Sequence, residues 1–196
     1  MLNKCKSDFL AKGTLGRATK LDDPDEVILK CANQAYRDML TAGRFYPLNG
    51  DSKEDRCEKL VDILKKHNYV FSRDIIDEAC ALFGSNEKIV PNINKPNKCA
   101  TRYGLAQKFV NMTFKLMYVF SDYTKKNIDF SNCDCPLDSI ILDELNDELK
   151  TQYRWSKITK EEYDGCQKAI TKKLKNKNLD QELESLGNLA YDFLNW

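Results

Sequence analysis

Residues 101–120 read TRYGLAQKFVNMTFKLMYVF. Phe109, Val110, Met112, Phe114, Leu116, Met117, Val119 and Phe120 are too many, and spread too widely around a helical wheel, for only one side to be apolar. The stretch therefore predicts a helix from near Thr101 to about Phe120 that is buried on most sides and stands at the centre of the fold.

Helices are expected on either side of it. In DDPDEVILKCANQAYRDMLTAG, Asp23 is placed as N-cap, Pro24 as first helical residue and Gly43 as stop. Its apolar residues, from Val27 and Ile28 to Met39 and Leu40, recur at helical spacing. A loop with Pro47, Asn49 and Gly50 follows. Ser52 then caps a helix carrying Cys57, Leu60, Val61 and Leu64, and Ser72 caps another that ends at Gly84. The segment NEKIVPNINKPNK, with two prolines, reads as loop.

Beyond the central helix, Pro136 is expected to start a helix with Leu137, Ile140, Ile141 and Leu145 inward. Thr159 and Glu162 form a capping box, and Asp180 opens the last helix. No strand pattern and no internal repeat appears, so the class is all-α, about seven or eight helices.

Bulk composition narrows the possibilities. A chain of 196 residues with 42% apolar and 31% charged residues supports one cooperative globular unit spanning 1–196 and excludes a disordered class. No apolar run reaches the roughly 18 residues of a membrane span, and the first residues carry no signal-peptide pattern, which points to a cytoplasmic protein. The eight cysteines are then reduced core thiols. Cys133 and Cys135 stand too close together for a zinc knuckle and His67 is the single histidine, so neither a metal nor a cofactor is expected. No Walker loop, dinucleotide fingerprint or nucleophile elbow is present.

Charge is uneven although the net value is only +1. Residues 88–108 hold five bases (Lys88, Lys95, Lys98, Arg102, Lys108) and no acid. Residues 134–148 hold six acids and no base, and 168–177 hold five lysines and no acid.

Two motifs carry a family resemblance. Gly104-Leu105-Ala106-Gln107-Lys108-Phe109-Val110-Asn111, then the apolar helix, then Cys135-Pro136-Leu137-Asp138-Ser139-Ile140-Ile141, resembles the helix-hairpin-helix DNA glycosylase superfamily over residues 98–145. Ala106 stands where that family has its second glycine, and the connection from Lys108 to Asp138 is longer than the family's. The resemblance implies a two-lobed helical domain, with 52–121 as the hairpin-bearing lobe and 22–43 plus 136–196 as the other. It implies a monomer that cleaves the N-glycosidic bond of a flipped, damaged or modified base in double-stranded DNA, with AP-lyase activity in the members that use a lysine nucleophile. Lys108 would attack C1′ as a neutral amine and Asp138 would stabilise charge developing on the sugar. Lys95, Lys98, Arg102, Gly104 and Gln107 would hold the DNA backbone, and Tyr103, Phe109, Met112 and Trp155 would wall the base pocket.

Ordinary helix electrostatics accounts for the same residues. With Cys135 as N-cap and Pro136 at the first position, Asp138 is the third helical residue, where carboxylates are common, and Lys108 is a solvated side chain. On that reading the chain is a non-catalytic helical factor of a mobile element or defence system. It would bind nucleic acid or protein, and the acidic stretch 134–148 would meet a basic partner.

Overall fold

The computed structural model describes the backbone of residues 2–43, 52–84, 89–92 and 95–195, with side chains for 4–40, 52–84 and 100–195. The loop expected around Pro47 and Gly50 lies outside the described residues. In chain order the elements are α1 (Leu2–Leu15), α2 (Pro24–Gly43), α3 (Lys53–Lys66), α4 (Arg73–Ala79), β1 (Ile89–Asn92), β2 (Lys95–Thr101), α5 (Arg102–Val119) and α6 (Ser121–Thr124). They continue with α7 (Ser139–Leu149), α8 (Lys160–Lys175), α9 (Gln181–Glu184) and α10 (Leu189–Leu194), and short 3-10 turns occupy Cys80–Phe83 and Trp155–Lys157. The fold is all-α with one small hairpin, and no helix among the described residues is long and apolar enough to cross a membrane.

Most helix starts follow from their local chemistry. Asp23 Oδ1 accepts the amides of Asp25 and Glu26 ahead of α2. Ser52 with Asp55, and Thr159 with Glu162, form reciprocal capping boxes on α3 and α8. Ser72 occupies the cap position of α4, but its buried hydroxyl makes no hydrogen bond.

Helix α5 is the axis of the core. It packs against α2, α4, α6 and both 3-10 turns, and from Tyr103 to Lys115 every residue is buried. Phe109 meets Tyr36 and Phe83 edge-on, with ring centroids 5.3 and 6.2 Å apart, and Phe71 meets Phe114 at 5.2 Å. The buried apolar residues form one cluster running from Ala11 to Tyr191.

The structure departs from the sequence reading in four places. The N-terminal segment forms α1, although Phe9 and Leu10 stay exposed on it and leave little amphipathic signal. The proline-rich segment read as loop contains β1 paired antiparallel with β2, Ile89 opposite Thr101. A hydrogen bond from Thr101 Oγ1 to Ile158 O, 57 residues away, anchors the end of β2.

The last helix is broken. Gly187 adopts φ +56° between α9 and α10, and a Cβ there would collide with the carbonyl of Ser131, so the chain turns at this glycine and the two helices are separate pieces.

Finally, α7 begins at Ser139 rather than at Pro136, with Asp138 itself as N-cap. The cause is tertiary. Residues 133–137 are buried and form no regular element, and their backbone is held at alternate positions by residues of α5, α8 and α10. Leu189 N donates to Cys133 O at 3.2 Å. Cys135 N donates to Gln167 Oε1 (3.0 Å) while Gln167 Nε2 donates to Cys135 O (2.7 Å). Leu137 N and O make the same reciprocal pair with Gln107, both at 3.2 Å. Two glutamine amides thus supply the partners that this buried, irregular backbone needs.

Candidate functional site

That clasp sets the register of the residues beside it. With Gln107 on Leu137, the next residue of each element meets as well: Lys108 Nζ lies 3.2 Å from Asp138 Oδ2. The lysine side chain is 7% exposed and the aspartate 21%. Asp138 Oδ1 accepts the amide of Ile141 at 3.0 Å, so the same carboxylate caps α7. Lys108 is therefore not a solvated surface residue, and Asp138 is not an interior first-turn carboxylate.

Two turns further along α5, Lys115 pairs with Asp192 of α10, whose side chain is 1% exposed. Burial holds the Asp192 carboxyl above the usual range, opposed by Lys115 and then Lys108. Asp38 of α2, also raised by burial, takes a 2.8 Å hydrogen bond from Gln34 and lies in the field of both lysines. The Cys135 thiol is pushed well up by burial and by the carboxylates of Asp192 and Asp138, so it is a neutral group beside the charges and no nucleophile. The assembly is three carboxylates around two amines, with Lys108 Nζ donating to Asp138 Oδ2.

A second polar network lies behind it. Arg73 grips both oxygens of Asp134 at 2.7 and 3.2 Å and reaches Asp164 at 2.9 Å. Tyr163 donates to Asp134 and receives a 2.8 Å bond from Asn111. The acidic stretch is consequently divided. Asp134 and Asp138 turn inward, Glu144 and Glu148 pair with Lys173 of the basic run, and Asp143 and Asp147 are exposed.

The remaining expected site residues are spread more widely. Gly104 is buried in the first turn of α5, entered from β2, and its amide donates to Thr101 Oγ1 at 2.9 Å. A Cβ on Gly104 would stand 2.5 Å from Trp155 O, so the glycine serves close packing of α5 on that turn. Gln107 is fully buried by the clasp. Arg102 is half-buried and donates to Gly84 O. The side chains of Lys95 and Lys98 lie outside the described residues.

Tyr103 meets Tyr163 edge-on at 5.5 Å, Phe109 is core, Met112 is one turn from Lys108 on α5, and Trp155 is half-buried in its 3-10 turn. Cavities of about 910, 310 and 270 Å³ open elsewhere among the described residues, and neither Lys108 nor Asp138 lines any of the three.

Lys115, Asp192, Gln167 and Arg73 were not singled out from the sequence. Lys115 carried the only local signal, a charge in an otherwise apolar helix on the face of Lys108; the partners of the others lie on distant elements. No group of three or more His, Cys, Asp or Glu side chains able to hold a metal ion occurs among the described residues. Comparison with protein-family models, curated proteins and solved structures found no match.

Proposed function

We propose that the chain is a DNA glycosylase with AP-lyase capacity, acting on a flipped base of double-stranded DNA through Lys108 and Asp138. The observation that carries this reading is the 3.2 Å pairing of a nearly buried amine with a carboxylate that keeps a solvent-facing edge. Transfer of a proton from Lys108 to Asp138 gives the neutral amine that attack requires. Nζ then bonds to C1′, the N-glycosidic bond breaks with its electron pair on the departing base, and the base takes up a proton. The proton taken up by the base comes from Asp138. Opening of the sugar moves a proton from Nζ to the ring oxygen and leaves a Schiff base on Lys108. The regenerated Asp138 carboxylate accepts the C2′ proton as the 3′ phosphate leaves with the electron pair of its C–O bond.

One observation favours a non-catalytic factor of the same fold. Both oxygens of Asp138 already have partners within the chain, Ile141 N and Lys108 Nζ, as a purely structural cap would.

Borohydride trapping on duplexes carrying abasic sites and a panel of modified bases separates the two. The glycosylase reading expects a covalent complex that is lost in Lys108→Ala and reduced in Asp138→Asn, with folding of each variant checked by circular dichroism. Absence of both trapping and base release across the panel leaves the pair as a structural element and ends that reading.

A further inference from the structure

The largest of the three cavities carries charge that the chain does not neutralise. About 910 Å³ in volume, it opens between α1, the turn joining α1 to α2, and α6. Its walls hold five bases and three acids, an excess of two positive charges in a chain whose net charge is +1.

Each charge can be followed to its partner. Asp8 accepts the Tyr123 hydroxyl at 2.9 Å and Lys4 Nζ at 3.2 Å, and these two contacts hold its carboxyl below the usual range. That acid and Lys4 therefore cancel. Lys125 Nζ reaches the backbone carbonyl of Asp22, at 3.5 Å. Lys12, one turn along α1 from Asp8, acts on it through the field without a hydrogen bond. The exposed side chains of Arg17 and Lys20 meet no acceptor among the described residues. Against these four cations the walls offer two further carboxylates, the exposed Asp22 and Asp122.

The backbone that presents the cations is fixed. Gly16 takes φ +112°, a conformation that favours glycine, and turns the chain after α1. Gly16 N donates to Lys12 O and Thr19 N to Gly16 O, both at 3.0 Å. Thr19, 2% exposed, donates its hydroxyl to Leu15 O at 3.1 Å. Arg17 and Lys20 stand on either side of that buried anchor, which sets where their side chains leave the backbone. A cleft lined by an excess of one sign concentrates ions of the other, and a multivalent anion relieves the repulsion among its walls.

We propose that this cleft binds a small ligand carrying two or more phosphate groups, held by Lys12, Arg17, Lys20 and Lys125. The volume lies within the roughly 300–1,000 Å³ of small-molecule sites. Apolar side chains in the walls are confined to Ala18, Leu21 and Tyr123, too few to bury a large hydrophobic ligand. A guanidinium grips phosphate through two nitrogens, and the lysines add point charge. The site shares no residue with the Lys108–Asp138 pair and does not depend on the glycosylase reading.

Calorimetric titration of the full chain with sodium tripolyphosphate, against sodium chloride at matched ionic strength, tests the proposal. Saturable one-to-one binding is expected, weakened about tenfold when Arg17→Gln and Lys20→Gln are combined. Both side chains are exposed and unpaired, so that variant should melt at the wild-type temperature. Lys168→Gln combined with Lys172→Gln removes the same charge from exposed positions of α8 outside the cleft, and should bind as the wild type does. Titration with pyrophosphate and with ADP then distinguishes an inorganic polyphosphate from a nucleoside diphosphate by which binds more tightly. Three results overturn the proposal: no saturable binding, equal weakening in the two double variants, or tighter binding of an oligothymidylate through Arg17 and Lys20. The last would make the cleft a nucleic-acid contact.

Discussion

Lys108 and Asp138, separated by 30 positions, share a 3.2 Å hydrogen bond that rests on a neighbouring clasp, Gln107 on Leu137. The ion pair is therefore a consequence of backbone register, and it joins the centre of α5 to the start of α7. Removing either side has different consequences for the two partners.

Asp138→Asn keeps an N-cap oxygen for Ile141 but leaves the nearly buried Lys108 without its counter-charge. The expected loss is about 2–3 kcal/mol, less than the roughly 3–5 kcal/mol of a fully buried broken pair because the aspartate side chain is 21% exposed. Lys108→Met should cost about 1 kcal/mol, since Asp138 keeps the cap and its contact with water. Urea unfolding of both variants measures the difference, and equal losses contradict this account.

The glutamines should matter as much as apolar core residues. Gln107→Leu strips a donor and an acceptor from the buried backbone of Leu137, and Gln167→Leu does the same to Cys135. Each is expected to destabilise by about 2–3 kcal/mol. Hydrogen exchange at the amides of Leu137 and Cys135 should accelerate selectively in the matching variant.

Three glycine-to-alanine substitutions should rank by their surroundings. Gly187→Ala meets both a positive φ and the Ser131 carbonyl, and should be the most damaging. Gly104→Ala drives a Cβ to 2.5 Å from Trp155 O and should cost about 1–3 kcal/mol. Gly13→Ala, inside α1 with nothing within 4 Å, should stabilise by about 0.5–1 kcal/mol. Thermal melts of the three variants give the order directly.

The buried thiols predict alkaline sensitivity. Burial raises Cys31 and Cys57 from 9.0 to about 12, and Cys166 to about 11. Above pH 9 the unfolded chain loses these protons while the folded chain keeps them, so stability is fully present below pH 9 and falls as pH rises toward 12. Melting temperatures across pH 7–11 should be flat and then decline. At neutral pH iodoacetamide should label the exposed Cys5 in the native state, and reach Cys31, Cys57, Cys133, Cys135 and Cys166 only after unfolding.

What the chain determines locally was readable from its letters. The start of α2 at Asp23, the capping boxes at Ser52 and Thr159, the Asp180 cap and the start of α5 at Thr101 depend on side chains reaching amides two or three residues away. Apolar spacing within α5 likewise announced that it would be buried. The all-α class follows from those short-range forces.

Tertiary structure decided the rest. Pro136 looks like a helix start until Gln107 and Gln167 bind the backbone of its neighbours and the cap falls on Asp138. Lys115 looks like an exposed charge until Asp192, 77 positions on, meets it. Gly104 gives no sign in the sequence of the Trp155 carbonyl that packs against it. In each case the deciding partner comes from a distant segment, and a buried polar group's role is set by whichever donor or acceptor the packed core brings within about 3 Å of it.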